Sequence, residues 1–229
     1  MIPALEDDVY IKRLSAWAPG ICAPEEWDQW AAGKKEIIKT GKGPDISFTE
    51  PLFRRRLSQI SRMTVQVAHD LMPMPPDTKI FFFSFRGELS RQFQINKMLI
   101  EEKTLSPASF SLSVFNAPAA LATMAMGLKG GYSCLYAGNN SFALNIAMAK
   151  AALLGGSTES IAFIYADEEA PQEYSSLFDE TPFALSFGFL LSKTNENCAE
   201  CSALPFAEQN ESPFFYLKKL IAGGIHVTL

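Results

Sequence analysis

Residues 132–156, YSCLYAGNNSFALNIAMAKAALLGG, run from a short apolar strand through a Gly-Asn-Asn turn into a helix of small residues. This arrangement commonly presents a nucleophile, because the free amides and dipole at a helix N-terminus lower a thiol pKa and stabilise charge that develops during acyl transfer. The turn here is Gly138, Asn139 and Asn140. Glycine has no side chain to acylate, and an asparagine at such a turn is accounted for by helix capping. Cys134 lies four residues before the turn, inside the strand, where an apolar setting predicts a buried, inert thiol. Acyl transfer through Cys134 or Ser141 stands as the alternative reading.

The other reactive residue types are scattered. Of the two histidines, His69 falls on a helix far upstream, and His226 sits in GGIHVTL, where fraying is expected. Neither has an acid and a nucleophile arranged beside it. Cys22, Cys134, Cys198 and Cys201 form no regular framework and read as reduced thiols. The C-x-x-C at 198–201 has the spacing of half a zinc site but no partner pair, so no metal is expected. Arg54, Arg55 and Arg56 are adjacent on one turn, point in different directions and read as a solvated face.

The elements that must position these residues alternate. A short helix near 25–32 lies in an otherwise irregular leading segment, 1–48, whose chemistry is not legible. A helix starting at Thr49, with Pro51 in its first turn, places Leu57, Ile60, Val67 and Leu71 on one face and ends at MPMPPD. KIFFFSF at 79–85 is apolar on both alternating sets, as in a strand covered on both faces. Helices at 88–102 and 117–127, separated by the loop SPASFSLSVFN, lead to strand 132–137 and the helix after the turn. Strands at 160–167 and 183–192 follow, then a strand at 201–206 and a helix capped by Ser212 with Pro213 at its first position. This alternation predicts an α/β fold with a mostly parallel central sheet and helices on both faces. The 229 residues, 48% hydrophobic and 20% charged, suit a single compact domain with no room for a second. A net charge of −5 and dispersed basic residues argue against nucleic acid. The acidic N-terminus and the shortness of the longest apolar run, 117–128, argue against a leader or a membrane span and for the cytoplasm.

The run from LSPASFSLSVFN through YSCLYAGNNSF to AKAALLGG, with FFFSFRGELSRQF and RRRLSQISRM upstream, resembles the N-terminal half of a β-ketoacyl synthase of the thiolase fold. It is most similar to the short synthase-like proteins allied to chain-length factors in bacterial aryl polyene pigment clusters. The likeness spans roughly residues 50–193, so the chain divides into the leading segment 1–48, a thiolase-like core 49–193 and an extension 194–229. In active members the strand ends at a cysteine that starts a buried helix, and Gly138 occupies that position. The histidines, or histidine and asparagine, of the family's C-terminal half have no counterpart. The resemblance therefore implies a non-catalytic subunit, without cofactor, that pairs with an active β-ketoacyl synthase. Tyr132, Ser133, Cys134, Leu135 and Tyr136 are then expected at the heterodimer interface. Phe115, Asn116, Ala119, Thr123 and Met124 are expected along the acyl tunnel, and an acyl carrier protein is a possible second partner. A stand-alone carrier-binding module is a further alternative.

Overall fold

The computed structural model describes residues 9–136, 141–177, 183–195 and 201–228. In chain order the elements are β1 (Tyr10–Trp17), α1 (Pro24–Ala31), α2 (Pro51–Arg54), α3 (Gln59–Asp70), β2 (Lys79–Ser84), α4 (Leu89–Glu101), α5 (Pro107–Ser111), α6 (Ala117–Ala125), β3 (Tyr132–Tyr136), α7 (Ser141–Leu154), β4 (Ser160–Asp167), β5 (Leu185–Ser192), β6 (Ser202–Ala203), α8 (Pro213–Ala222) and β7 (Val227–Thr228), with a 3-10 turn at Gln172–Leu177. The strands form one sheet in the order β3-β2-β4-β5-β1-β6, with β7 also on β1. β3, β2 and β4 run parallel, whereas β5 pairs antiparallel with both β4 and β1. The parallel part of the sheet is thus the part that leads into the strand–turn–helix.

The continuous apolar runs found in the sequence are explained by cover on both faces. Phe81 and Phe83 of β2, with Phe163 of β4 and Phe187 of β5, belong to one core with α1, α7 and α8. Ile80 and Phe82, with Ala162 and Ile164, belong to a second core with α3 and α6. Close approach in the second layer depends on Gly188, where a Cβ would stand 2.7 Å from the Phe163 carbonyl oxygen and 2.9 Å from Val67 Cγ1 of α3. A side chain there would push helix and sheet apart.

Six expectations need correction. Residues 10–17 are a strand inside the sheet, not part of an irregular leader. Their apolar positions are broken by Lys12 and Arg13, and the register shift between Ile11 and Arg13 hides the two-residue period. The helix read from Thr49 is two helices: α2 is a single turn, and α3 begins after Ser58, whose Oγ accepts from Ser61 N at 3.2 Å. SPASFSLSVFN contains α5, and the strand read at 201–206 narrows to Ser202–Ala203. GGIHVTL does not fray throughout, because Leu14 and Ser15 pair with Val227 and Thr228 and bury Val227. Cys22 and Cys134 are free thiols, but Cys201 is disulfide-bonded, so the reading of four reduced cysteines fails there. No helix among the described residues is long and apolar enough to cross a membrane.

Candidate functional site: the β3–α7 corner and the groove beside α6

β3 is the outer strand of the sheet, hydrogen-bonded to β2 in the register Ile80–Tyr132 through Ser84–Tyr136. Successive side chains leave it on opposite faces. Cys134 packs with the α3/α6 core, and Leu135 packs with the α7 core. The thiol therefore stands on the face of the sheet away from α7, out of reach of that helix's N-terminal amides. Burial pushes it up to about 11, so it is protonated at neutral pH. Cys134 is half-buried, where the apolar strand predicts full burial. Gly138, Asn139 and Asn140 lie outside the described residues.

α7 is held by Phe142, whose ring meets those of Tyr216 at 5.2 Å and Phe83 at 5.7 Å. Ser141 Oγ and Asn145 Nδ2, one turn apart, are buried and have no hydrogen-bond partner. Among the described residues, Ser141 therefore has no base bonded to it. Neither histidine is close enough to bond it: His69 lies flat on Phe48 with ring centroids 3.8 Å apart, and its Nδ1 faces Asp70 at 3.3 Å, while His226 is exposed beside β7. α7 is also not enclosed at the centre of the molecule. Leu144, Ala147, Met148 and Ala151 form an exposed stripe along it, because only one face meets the sheet. A helix this apolar with one bare face is unfinished as a monomer surface.

The five tunnel candidates separate. Phe115 packs inward, its ring 6.0 Å from that of Phe82, and occupies the space a Cβ on Gly87 would need. Ala119 is fully buried. Thr123 Oγ1 donates to the Ala119 carbonyl, and Asn116 Nδ2 donates to Tyr132 Oη at 2.9 Å, which ties the start of α6 to the edge strand. Met124 alone is largely exposed, and it lines a groove of about 980 Å³ between α6, α5, the end of α3 and residues 48–56. Of the three adjacent arginines, Arg54 donates to the Ile46 and Thr49 carbonyls, Arg55 is exposed and Arg56 reaches the groove. None forms an ion pair among the described residues.

A second polar centre was missed in the sequence. At the C-terminal ends of β2 and β4, Asp167, Glu168 and Glu88 are buried together. Asp167 accepts from Ser84 Oγ at 2.7 Å and from the amides of Phe85 and Arg86. Glu168 accepts from Ile60 N, at the start of α3, and from Ser90 N, at the start of α4. Glu88 accepts from Ser58 Oγ and Ser61 Oγ, each at 2.7 Å, and from Arg91 Nε. Burial, and then the charge of Glu88, push Glu168 up to about 7 against the pull of its donors; burial also raises Asp167. The signal was an acid immediately after each apolar run, in FFFSFRGE and IYADEE. Carboxylates so placed staple strand ends to helix starts.

The family model for the β-ketoacyl synthase N-terminal domain matches residues 27–214. The chain belongs to that family. Its fold is shared with a ketosynthase (ApeO) in complex with its chain length factor (ApeC) from Xenorhabdus doucetiae, at TM-score 0.74 and 24% identity over 94% of this chain and 92% of that one. The ishigamide ketosynthase/chain length factor matches at TM-score 0.69 and 15% identity, over 84% of this chain and 64% of the other. The ketosynthase from module 1 of the bacillaene synthase of Bacillus amyloliquefaciens FZB42 matches at 0.60 and 15%, over 83% and 43%. No curated protein matches the chain. The thiolase-like α/β fold expected from the sequence is therefore the one observed.

Proposed function

We propose that this β-ketoacyl synthase family chain is a non-catalytic, chain-length-factor-like subunit. In this reading it pairs with an active β-ketoacyl synthase in type II fatty acid or polyketide biosynthesis of the aryl polyene kind. The partner supplies the nucleophile and proton-handling histidines, and this chain covers the partner's interface and helps shape its acyl tunnel.

The observation that carries the reading is the corner itself. The edge strand YSCLY is open, its one thiol faces away from the helix start, and the sequence has Gly138 where a nucleophile would stand. An apolar edge strand is a template for pairing, and a partner of the same fold can extend the sheet across it. The bare stripe on α7 adds apolar surface that a monomer leaves wet. The neighbouring structures support the assignment by their composition, since two of them contain a ketosynthase together with a chain length factor.

The test is co-expression with candidate ketosynthases followed by size-exclusion chromatography. A stable heterodimer burying well over about 2,000 Å² in total is expected, as for obligate pairs. Leu135→Lys, a charge on the edge strand, should abolish co-purification. A complex that survives this change unaltered would move the interface elsewhere, and a monomer that ignores every ketosynthase would overturn the reading.

A further inference from the structure

The first two turns of α7 carry two hydrogen-bond donors that the fold leaves unused. Ser141 is 9% exposed and Asn145 3%, and neither Ser141 Oγ nor Asn145 Nδ2 has a hydrogen-bond partner among the described residues. Residues four apart share a helix face, and side chains on a helix lean toward its N-terminus, so both donors address the same end of α7. No acid lies in the first turn to accept from them, and the helix dipole adds positive potential there. On the helix surface Leu144 and Met148 are near neighbours of both residues, and they are 60% and 42% exposed. The polar pair therefore borders the bare stripe of α7, whereas the Phe142 side is filled by Phe83 and Tyr216. A buried donor without an acceptor is costly, and the same donor bonded in a dry setting is strong. Whatever covers the stripe thus gains by bringing an acceptor with it.

We infer that the partner subunit completes this corner: the surface that covers Leu144 and Met148 carries an oxygen acceptor, which takes hydrogen bonds from Ser141 Oγ and Asn145 Nδ2. The inference rests on the partner-subunit reading and adds to it a means of choosing among partners. Apolar contact along the stripe is permissive, because many surfaces bury leucine and methionine equally well. A subunit that covers the stripe without the acceptor seals two donors away from water unpaired, and that penalty discriminates against it. Ser141 and Asn145 are in this sense specificity residues of the interface.

The test sets variant and unaltered chains, carrying different tags, in competition for a limiting amount of a co-expressed ketosynthase, and the captured ratio is read by mass spectrometry. Ser141→Ala and Asn145→Leu should each be captured at least about tenfold less well than the unaltered chain, or about 1.4 kcal/mol. In denaturant unfolding of the chain alone, the same two variants should be as stable as the original or more so. Asn145→Asp, which keeps the shape and replaces the donor by an acceptor, should be captured less well than Asn145→Leu. Undiminished capture of Ser141→Ala and Asn145→Leu overturns the inference and leaves the partner-subunit reading standing, since the complex then forms without the donors. A marked loss of stability in the chain alone also overturns it, because the donors are then bonded within the chain. Better capture of Asn145→Asp than of Asn145→Leu overturns it as well, by showing that the incoming group is a donor. A chain that no ketosynthase captures removes the partner-subunit reading itself, and the inference with it.

Discussion

Two corners of the same sheet treat buried polar atoms in opposite ways. At the ends of β2 and β4, three buried carboxylates are saturated by hydroxyls, helix-start amides and Arg91. At the β3–α7 corner, Ser141 Oγ and Asn145 Nδ2 are buried with nothing to bond. Orphaned polar groups cost stability, and saturated ones hold elements in place. The contrast separates a corner whose buried polar groups hold elements together from one whose buried polar groups have no bond among the described residues.

Breaking the saturated corner should have the largest effect. Glu168→Ala removes one carboxylate that caps two helices, and Glu88→Ala leaves Arg91 and two serines without their acceptor. Glu88→Ala should cost about 3–5 kcal/mol in denaturant unfolding, the scale for removing one partner of a buried ion pair, and Glu168→Ala about 1–3 kcal/mol, for two helix-start amides left without an acceptor. A loss under about 1 kcal/mol would mean that water replaces the carboxylate and that the staple is not needed.

The same corner predicts a pH trend. Glu168 is raised to about 7 in the fold against 4.5 for the unfolded chain, so the folded state binds the extra proton between these values. Its contribution is complete below pH 4.5 and is lost as the pH climbs to about 7, by up to about 3 kcal/mol. Asp167 is raised in the same sense. Unfolding free energies measured across this window should fall with rising pH, and Glu168→Gln should flatten the slope. A slope of the opposite sign would show that the helix-start amides, which favour the anion, outweigh burial.

At the orphaned corner the expected effects are smaller and reversed. Asn145→Leu removes an unpaired buried amide and adds apolar volume next to Phe142. It should be neutral or stabilising by about 1 kcal/mol, whereas the same change in a saturated network would be destructive. Marked destabilisation would reveal a partner for Asn145 in the assembled protein.

The gentlest probe is chemical. Iodoacetamide at pH 8 should alkylate exposed Cys22 well before Cys134, whose thiol stays protonated up to about 11. Peptide mapping by mass spectrometry that finds Cys134 modified first would reopen it as a nucleophile.

The difference between the corners also explains what could be read from the sequence. β2, β4 and β5 were legible because cover on both faces demands unbroken apolar runs such as KIFFFS. α8 was legible through its Ser212 cap, and α3 through its apolar face, although its start at Ser58 was missed. β1 was not, since a bulge and two cations spoil its period, and its strand identity comes from β5, far along the chain. At the site, the raised pKa of the Cys134 thiol followed from its place in an apolar strand. The separation of the tunnel candidates did not, because Phe115 and Met124 differ only in which side of α6 the neighbouring helices fill. Likewise, acids after two strands carry no mark of being neighbours until the sheet brings Glu88 and Glu168 together.

The pairing of β1 with β7 has a kinetic meaning. Leu14 and Ser15 meet Val227 and Thr228, and the same strand zips along β5 from Trp17–Ser186 to Tyr10–Ser192. A sheet whose early residues wait for its latest ones must close its longest loops before those contacts repay the entropy, which slows folding. During synthesis β2, α6 and β3 can assemble first, while the apolar face of β1 stays uncovered until β5 and then residues 227–228 have emerged. The open interval exposes Ile11, Leu14 and Ala16 to other chains. Yield in cells should therefore depend on how quickly translation passes through the C-terminal region, and slowing it there should cost soluble protein more than an equal pause placed before residue 160.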